Sequence, residues 1–116
     1  MNTPLHLGQM FTDSPQRSKE QLAVFALLNL GFVSSLASGT LRATEAVHLF
    51  YRAENCNFVR KRLRDKTADG IMSHGVQLPD VFTVLPPEEA QREFQRELEA
   101  MRGLCLKLLQ PKRLAA

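Results

Sequence analysis

Residues 22–33 read LAVFALLNLGFV, apolar at ten of twelve positions. A run this long, broken only by Asn29 and Gly31, is apolar nearly all round a helix and predicts the most buried element of a helical protein. It is too short for a membrane span, which needs about 20 apolar residues. Arg17 and Lys19 before it and Ser35-Leu36-Ala37 after it trace the outline of a signal peptide. Asp13 and Glu20 interrupt the basic lead, and removal of the run would leave too few strong helices to bury one another. A core helix is therefore expected, opened by Ser14-Pro15 and running to Ala37, with Gly39 as a left-handed terminator. Gly31 costs about 1 kcal/mol in a helix interior relative to alanine, which suggests close approach of a neighbouring helix.

Downstream of Gly39 the apolar positions Leu49, Ala53, Cys56, Val59 and Leu63 recur at helical spacing. No proline interrupts residues 43–74, so one helix about 48 Å long is expected, ending at Gly75. A break around Thr67–Gly70 is the alternative. Val81, Phe82, Val84 and Leu85 have strand composition, but the chain offers no partner strand. A short helical turn from Pro79 satisfies the backbone better. Pro87 with Glu88 and Glu89 opens the last helix. Its core face is Phe94, Leu98, Met101, Cys105 and Leu108, and Glu88 and Arg92 are spaced for an i,i+4 pair. Pro111 stops it. The expected fold class is thus all-α: three long helices and a short turn in one domain over 14–110. Residues 1–13 are expected to be a flexible tail, with docking through Leu5, Leu7, Met10 and Phe11 as the alternative, and 111–116 to fray.

Length and composition exclude collagen-like, low-complexity and disulfide-scaffold classes. The chain has 116 residues, 44% hydrophobic and 23% charged, with two cysteines and no tryptophan. Cys56 and Cys105 lack any CxxC or zinc-ligand spacing, so both are expected as buried free thiols in a reducing, cytoplasmic setting. The net charge of +3 is local: its surplus lies in 58–66, where Arg60, Lys61, Arg62, Arg64 and Lys66 face a single Asp65. That rules out a general basic coat. It leaves one patch for phosphates or an acidic protein, although regular helical geometry would bring only Arg60 and Arg64 to one face, with Arg52, Lys112 and Arg113 as the candidates to join after folding.

Glu45 and His48 form E-x-x-H, half of a di-iron carboxylate site, with Glu88, Glu89 or Glu93 as further ligands across a dimer. The motif occurs on a polar face that solvation explains as well. Serines 34, 35, 38 and 73 lack a nucleophile-elbow context, and no glycine-rich phosphate loop exists. Asn55 and Asn57 are poor interior helix residues, expected on the surface or as a polar contact setting register in a dimer. No cofactor is implied. The sequence reads best as a helical protein-interaction or regulatory protein without catalysis. Its first helix needs more cover than one chain supplies, which predicts a homodimer. A nucleic-acid-binding regulator using 60–66 and a ferritin-like metal protein centred on Glu45 and His48 are the alternatives.

Overall fold

A computed structural model describes residues 3–12 and 18–110. They contain helices α1 (Leu7–Thr12), α2 (Ser18–Ala37), α3 (Ala43–Leu49), α4 (Ala53–Phe58), α5 (Lys66–Val84) and α6 (Pro87–Leu108), with a π-turn at Val59–Leu63 between α4 and α5. No strand occurs among the described residues, so the all-α class is correct. The expected opening at Ser14-Pro15 and the tail 111–116 lie outside the described residues.

Three long helices are present, but the second is not where periodicity put it. The stretch 43–74 is broken twice. Leu49, Phe50 and Tyr51 are all buried, and one continuous helix turns consecutive side chains about 100° apart, away from a single core face. The helix ends instead. The Phe50 and Tyr51 amides both reach the Ala46 carbonyl, at 2.9 and 3.1 Å. Phe50 then stacks on Phe32 with centroids 4.9 Å apart, and meets Tyr51 edge-on at 5.1 Å. The second break is at Arg64, left-handed at φ 52°, which closes the π-turn. Asp65 follows in extended geometry and caps α5, its Oδ1 accepting the Ala68 amide at 3.0 Å.

The expected stop at Gly75 is also overturned. Helix α5 continues through Gly75 and Pro79 to Val84, although Pro79 has no N–H for the Gly75 carbonyl. Tertiary packing prevails over local punctuation here. Gly75 is buried under the Tyr51 ring and Leu78 is fully enclosed, so the segment beyond Gly75 is held on the core as helix.

Helices α5 and α6 form an antiparallel hairpin through Leu85-Pro86. Its register is fixed by Gly70 beside Leu104, by His74 Nδ1 to Glu97 Oε1 at 2.7 Å, and by Phe82 against Phe94 at 5.0 Å. The predicted α6 core face is buried from Phe94 to Leu108. On its polar side the close ion pair is Arg96 to Glu93 at 3.0 Å, not the one expected between Glu88 and Arg92. Helix α2 lies mainly against α6, and α1, α3 and α4 fill the flank. The least extent, 22 Å, equals two helix layers.

Helix α2 ends as foreseen. Gly39 is left-handed at φ 81°, and the Leu41 amide returns to the Ser35 carbonyl at 3.1 Å. It is not the most enclosed element, however. Phe25, Ala26, Asn29, Val33 and Leu36 are buried, while Leu27 is 59% exposed and Gly31 faces outward with nothing near it. The close helix approach expected at Gly31 does not occur among the described residues.

Candidate interaction surfaces

The amino-terminal segment is docked rather than loose. Leu7 and Phe11 are buried, Leu5 packs on the core, and only Met10 of the four docking residues stays largely exposed. Asn55 holds the segment. Its Oδ1 accepts the Leu7 amide at 3.0 Å, and its Nδ2 donates to the carbonyls of Leu5 at 2.9 Å and Phe50 at 2.8 Å. The Leu5 amide reaches the Leu49 carbonyl at 2.8 Å, and His6 Nδ1 lies 3.0 Å from Glu54. Asn55 is thus neither a surface residue nor a dimer contact. It is buried, and it closes the broken end of α3 while fastening residues 5–7. Asn57 is exposed.

A second buried amide ties α2 to the α3–α4 link and, through it, to α5. Asn29 donates to the Phe25 carbonyl at 2.9 Å and accepts the Tyr51 hydroxyl at 2.7 Å. Tyr51 in turn covers Gly75. These groups were legible only as anomalies: an amide inside the apolar run and the chain's one tyrosine.

The basic segment is a corner, not a helix face. The π-turn and left-handed Arg64 leave Arg60, Lys61, Arg62, Arg64 and Lys66 all exposed, while Val59 and Leu63 anchor the turn in the core. The regular helix expected through Arg60 and Arg64 is thus interrupted here. Arg60 lies 3.8 Å from Asp69, and the Arg62 guanidinium sits 5.9 Å above the Phe58 ring. By the hairpin register, exposed Lys107 near the end of α6 stands at this same end of the molecule. Lys112 and Arg113 are outside the described residues.

Glu45 and His48 are both exposed. Glu45 Oε1 accepts the Arg42 amide at 2.9 Å, completing the start of α3. No group of three His, Cys, Asp or Glu residues suited to a metal ion occurs among the described residues of one copy.

Both cysteines are free, Cys105 buried and Cys56 only half-buried. Burial raises the Cys105 thiol to about 11 and pushes Cys56 upward against the nearby Arg60 guanidinium. Burial likewise lifts the Tyr51 phenol above its ordinary value, with Cys105 adding to the effect. For Cys105 the folded protein keeps its proton after the unfolded chain has begun to lose it. Its contribution is complete below pH 9 and is lost as pH rises from 9 through about 11, with Tyr51 extending the loss. Urea midpoints measured from pH 7 to 11 are expected to fall above pH 9. A flat profile would contradict the burial of these groups.

Two apolar clefts flank Leu41. The larger, about 580 Å³, lies between the end of α2 and the α5–α6 tip, with Leu36, Pro79, Phe82 and Phe94 in its walls. Phe82 remains 46% exposed and Val84, close by in sequence, 76% exposed. The other, about 510 Å³, runs along α2 past Leu28, Gly31 and Phe32 to Leu49, with Glu45 also lining it. By length and composition Lys19–Ala37 is also apolar enough to cross a membrane, and only 28% of that stretch is buried.

No family model matches this chain, and no curated protein or solved structure matches it either.

Proposed function

We propose that this chain is a helical protein-interaction or regulatory module that acts without catalysis, as an oligomer, in the cytoplasm. The observation that carries this reading is the open apolar cleft at the α5–α6 tip. Isolated exposed apolar side chains are ordinary, but Phe82 stands at a concave wall shared with Leu36, Leu41, Pro79 and Phe94. Such a cleft accepts an apolar anchor from a protein partner, with the amides of Gln91 and Gln95 and the Thr83 hydroxyl as a polar rim. Buried polar side-chain atoms among the described residues all have hydrogen-bond partners.

A second reading, nucleic-acid contact through Arg60–Lys66, is favoured by the corner geometry that leaves all five cations exposed. One experiment separates the two. A photo-crosslinking residue placed at Thr83 is expected to give a discrete protein adduct in the native host. The adduct should disappear with Phe82→Asp, folding being checked by circular dichroism, and survive Arg60→Glu/Arg62→Glu/Arg64→Glu. If the triple reversal instead abolishes salt-sensitive binding to nucleic acid and Thr83 yields no adduct, the second reading replaces the first.

A further inference from the structure

We infer that the outward face of α2 is a two-fold contact between two copies of this chain, with Leu27 of each copy seated against Gly31 of the other. This deepens the interaction reading by naming one partner, and it uses the other of the two clefts that flank Leu41.

Glu20, Leu27, Gly31 and Ser34 recur at helical spacing on the outward side of α2, with Ala23, Val24 and Leu30 half-buried beside them. Leu27 projects from this face at 59% exposure. One turn later Gly31 forms a notch. A Cβ built there would meet nothing within 4 Å, so no contact among the described residues requires glycine. The notch opens into the cleft lined by Leu28, Phe32, Leu41 and Leu49.

A knob and a notch one turn apart on the same face are self-complementary. In an isologous contact residue i meets j and j meets i, so an antiparallel pairing about an axis midway between Leu27 and Gly31 fills both notches at once. The same axis sets Leu28 opposite Leu30 and Val24 opposite Ser34.

Charge selects this occupant. No charged residue lies between Glu20 and Arg42. The antiparallel crossing carries Glu20 of each copy to the end of the other copy's α2, where Leu41 folds back on Ser35 and exposed Arg42 follows. Opposite charges thus meet at both ends of an uncharged middle. A parallel pairing would set Glu20 against Glu20 and leave Leu27 facing Leu27.

Sedimentation velocity of the full chain across a concentration series tests the contact. The wild type is expected to dimerise. Gly31→Leu, which fills the notch where the monomer has open space, should raise the dissociation constant about tenfold or more without lowering the urea midpoint of the monomer. Leu27→Glu, at an exposed site, should do the same and covers the case that Gly31→Leu misfolds. Glu20→Arg and Arg42→Glu should each weaken the dimer, and together restore it. A wild type monomeric up to high micromolar concentration overturns the inference, as does a dimer indifferent to Gly31→Leu and Leu27→Glu. Flotation of a monomeric wild type with phosphatidylcholine–phosphatidylglycerol vesicles, lost in Leu27→Glu, would assign the face to lipid instead. Gly31→Leu and Leu27→Glu leave the residues of the Phe82 cleft unchanged and should leave the Thr83 crosslink intact, so the two readings fail separately.

Discussion

Gly75→Ala is expected to destabilise the fold by about 3 kcal/mol, even though alanine is the better helix former by about 1 kcal/mol. The new Cβ would lie 2.6 Å from Tyr51 Cε1 and closer still to Cγ and Cδ1. The ring has little room to retreat. Tyr51 is almost fully enclosed, Phe50 packs edge-on against it, and its hydroxyl is held by Asn29. Relief requires either parting α5 from the α3–α4 link or breaking the 2.7 Å hydrogen bond. Urea denaturation of the variant measures the loss. Gly70→Ala is the control, because its Cβ would rest 3.6 Å from a Leu104 methyl at ordinary contact distance. Equal stability of the two variants would show that Tyr51 does not bear on Gly75.

Asn55→Leu is expected to cost about 2–4 kcal/mol and to release the amino-terminal segment. The substitution keeps approximate volume but removes one acceptor and two donors. It strands the Leu7 amide and the Phe50 carbonyl away from solvent, each at about 1–3 kcal/mol, partly relieved when the segment detaches and is hydrated. Release has a separate readout. Protease cleavage within residues 3–12 should accelerate far more than cleavage in α5 or α6. His6→Ala removes only the exposed pair with Glu54 and should change stability by well under 1 kcal/mol. If Asn55→Leu proves as mild as His6→Ala, the amide network is not what fastens the segment.

These two sites show which parts of the fold were legible. The α6 core face was read correctly because a clean 4-3-4-3 spacing on a helix with a proline start leaves no competing pattern. The run 43–74 was misread because periodicity registers where apolar residues recur but not whether adjacent ones must all be buried. Leu49-Phe50-Tyr51 asks for a bend, and Asn55 supplies the hydrogen bonds that end a helix there. Asp65 was counted only as the lone acid in a basic run, although its place three residues before Ala68 is a capping position. Gly75 and Pro79 carry stop signals that are locally genuine and globally overruled by the ring lying on Gly75. The site was less legible than the fold. The common exposure of Arg60, Lys61, Arg62, Arg64 and Lys66 depends on a π-turn that leaves no trace in residue spacing. The exposure of Leu27 runs against an apolar run that by itself promises burial.

The docking of residues 5–7 on residues 49–55 also sets an order of events during synthesis. Leu5, Leu7 and Phe11 leave the ribosome first, yet the Asn55 amide that receives them comes 48 residues behind Leu7. At ~5–20 residues per second that gap lasts ~2–10 s, with three apolar side chains lacking their native cover. The α5–α6 hairpin has no such delay, since its two strands of contact are joined through Leu85-Pro86. Residues 5–11 are therefore made well before the surface that houses them, and in that interval a nascent-chain chaperone has an opening.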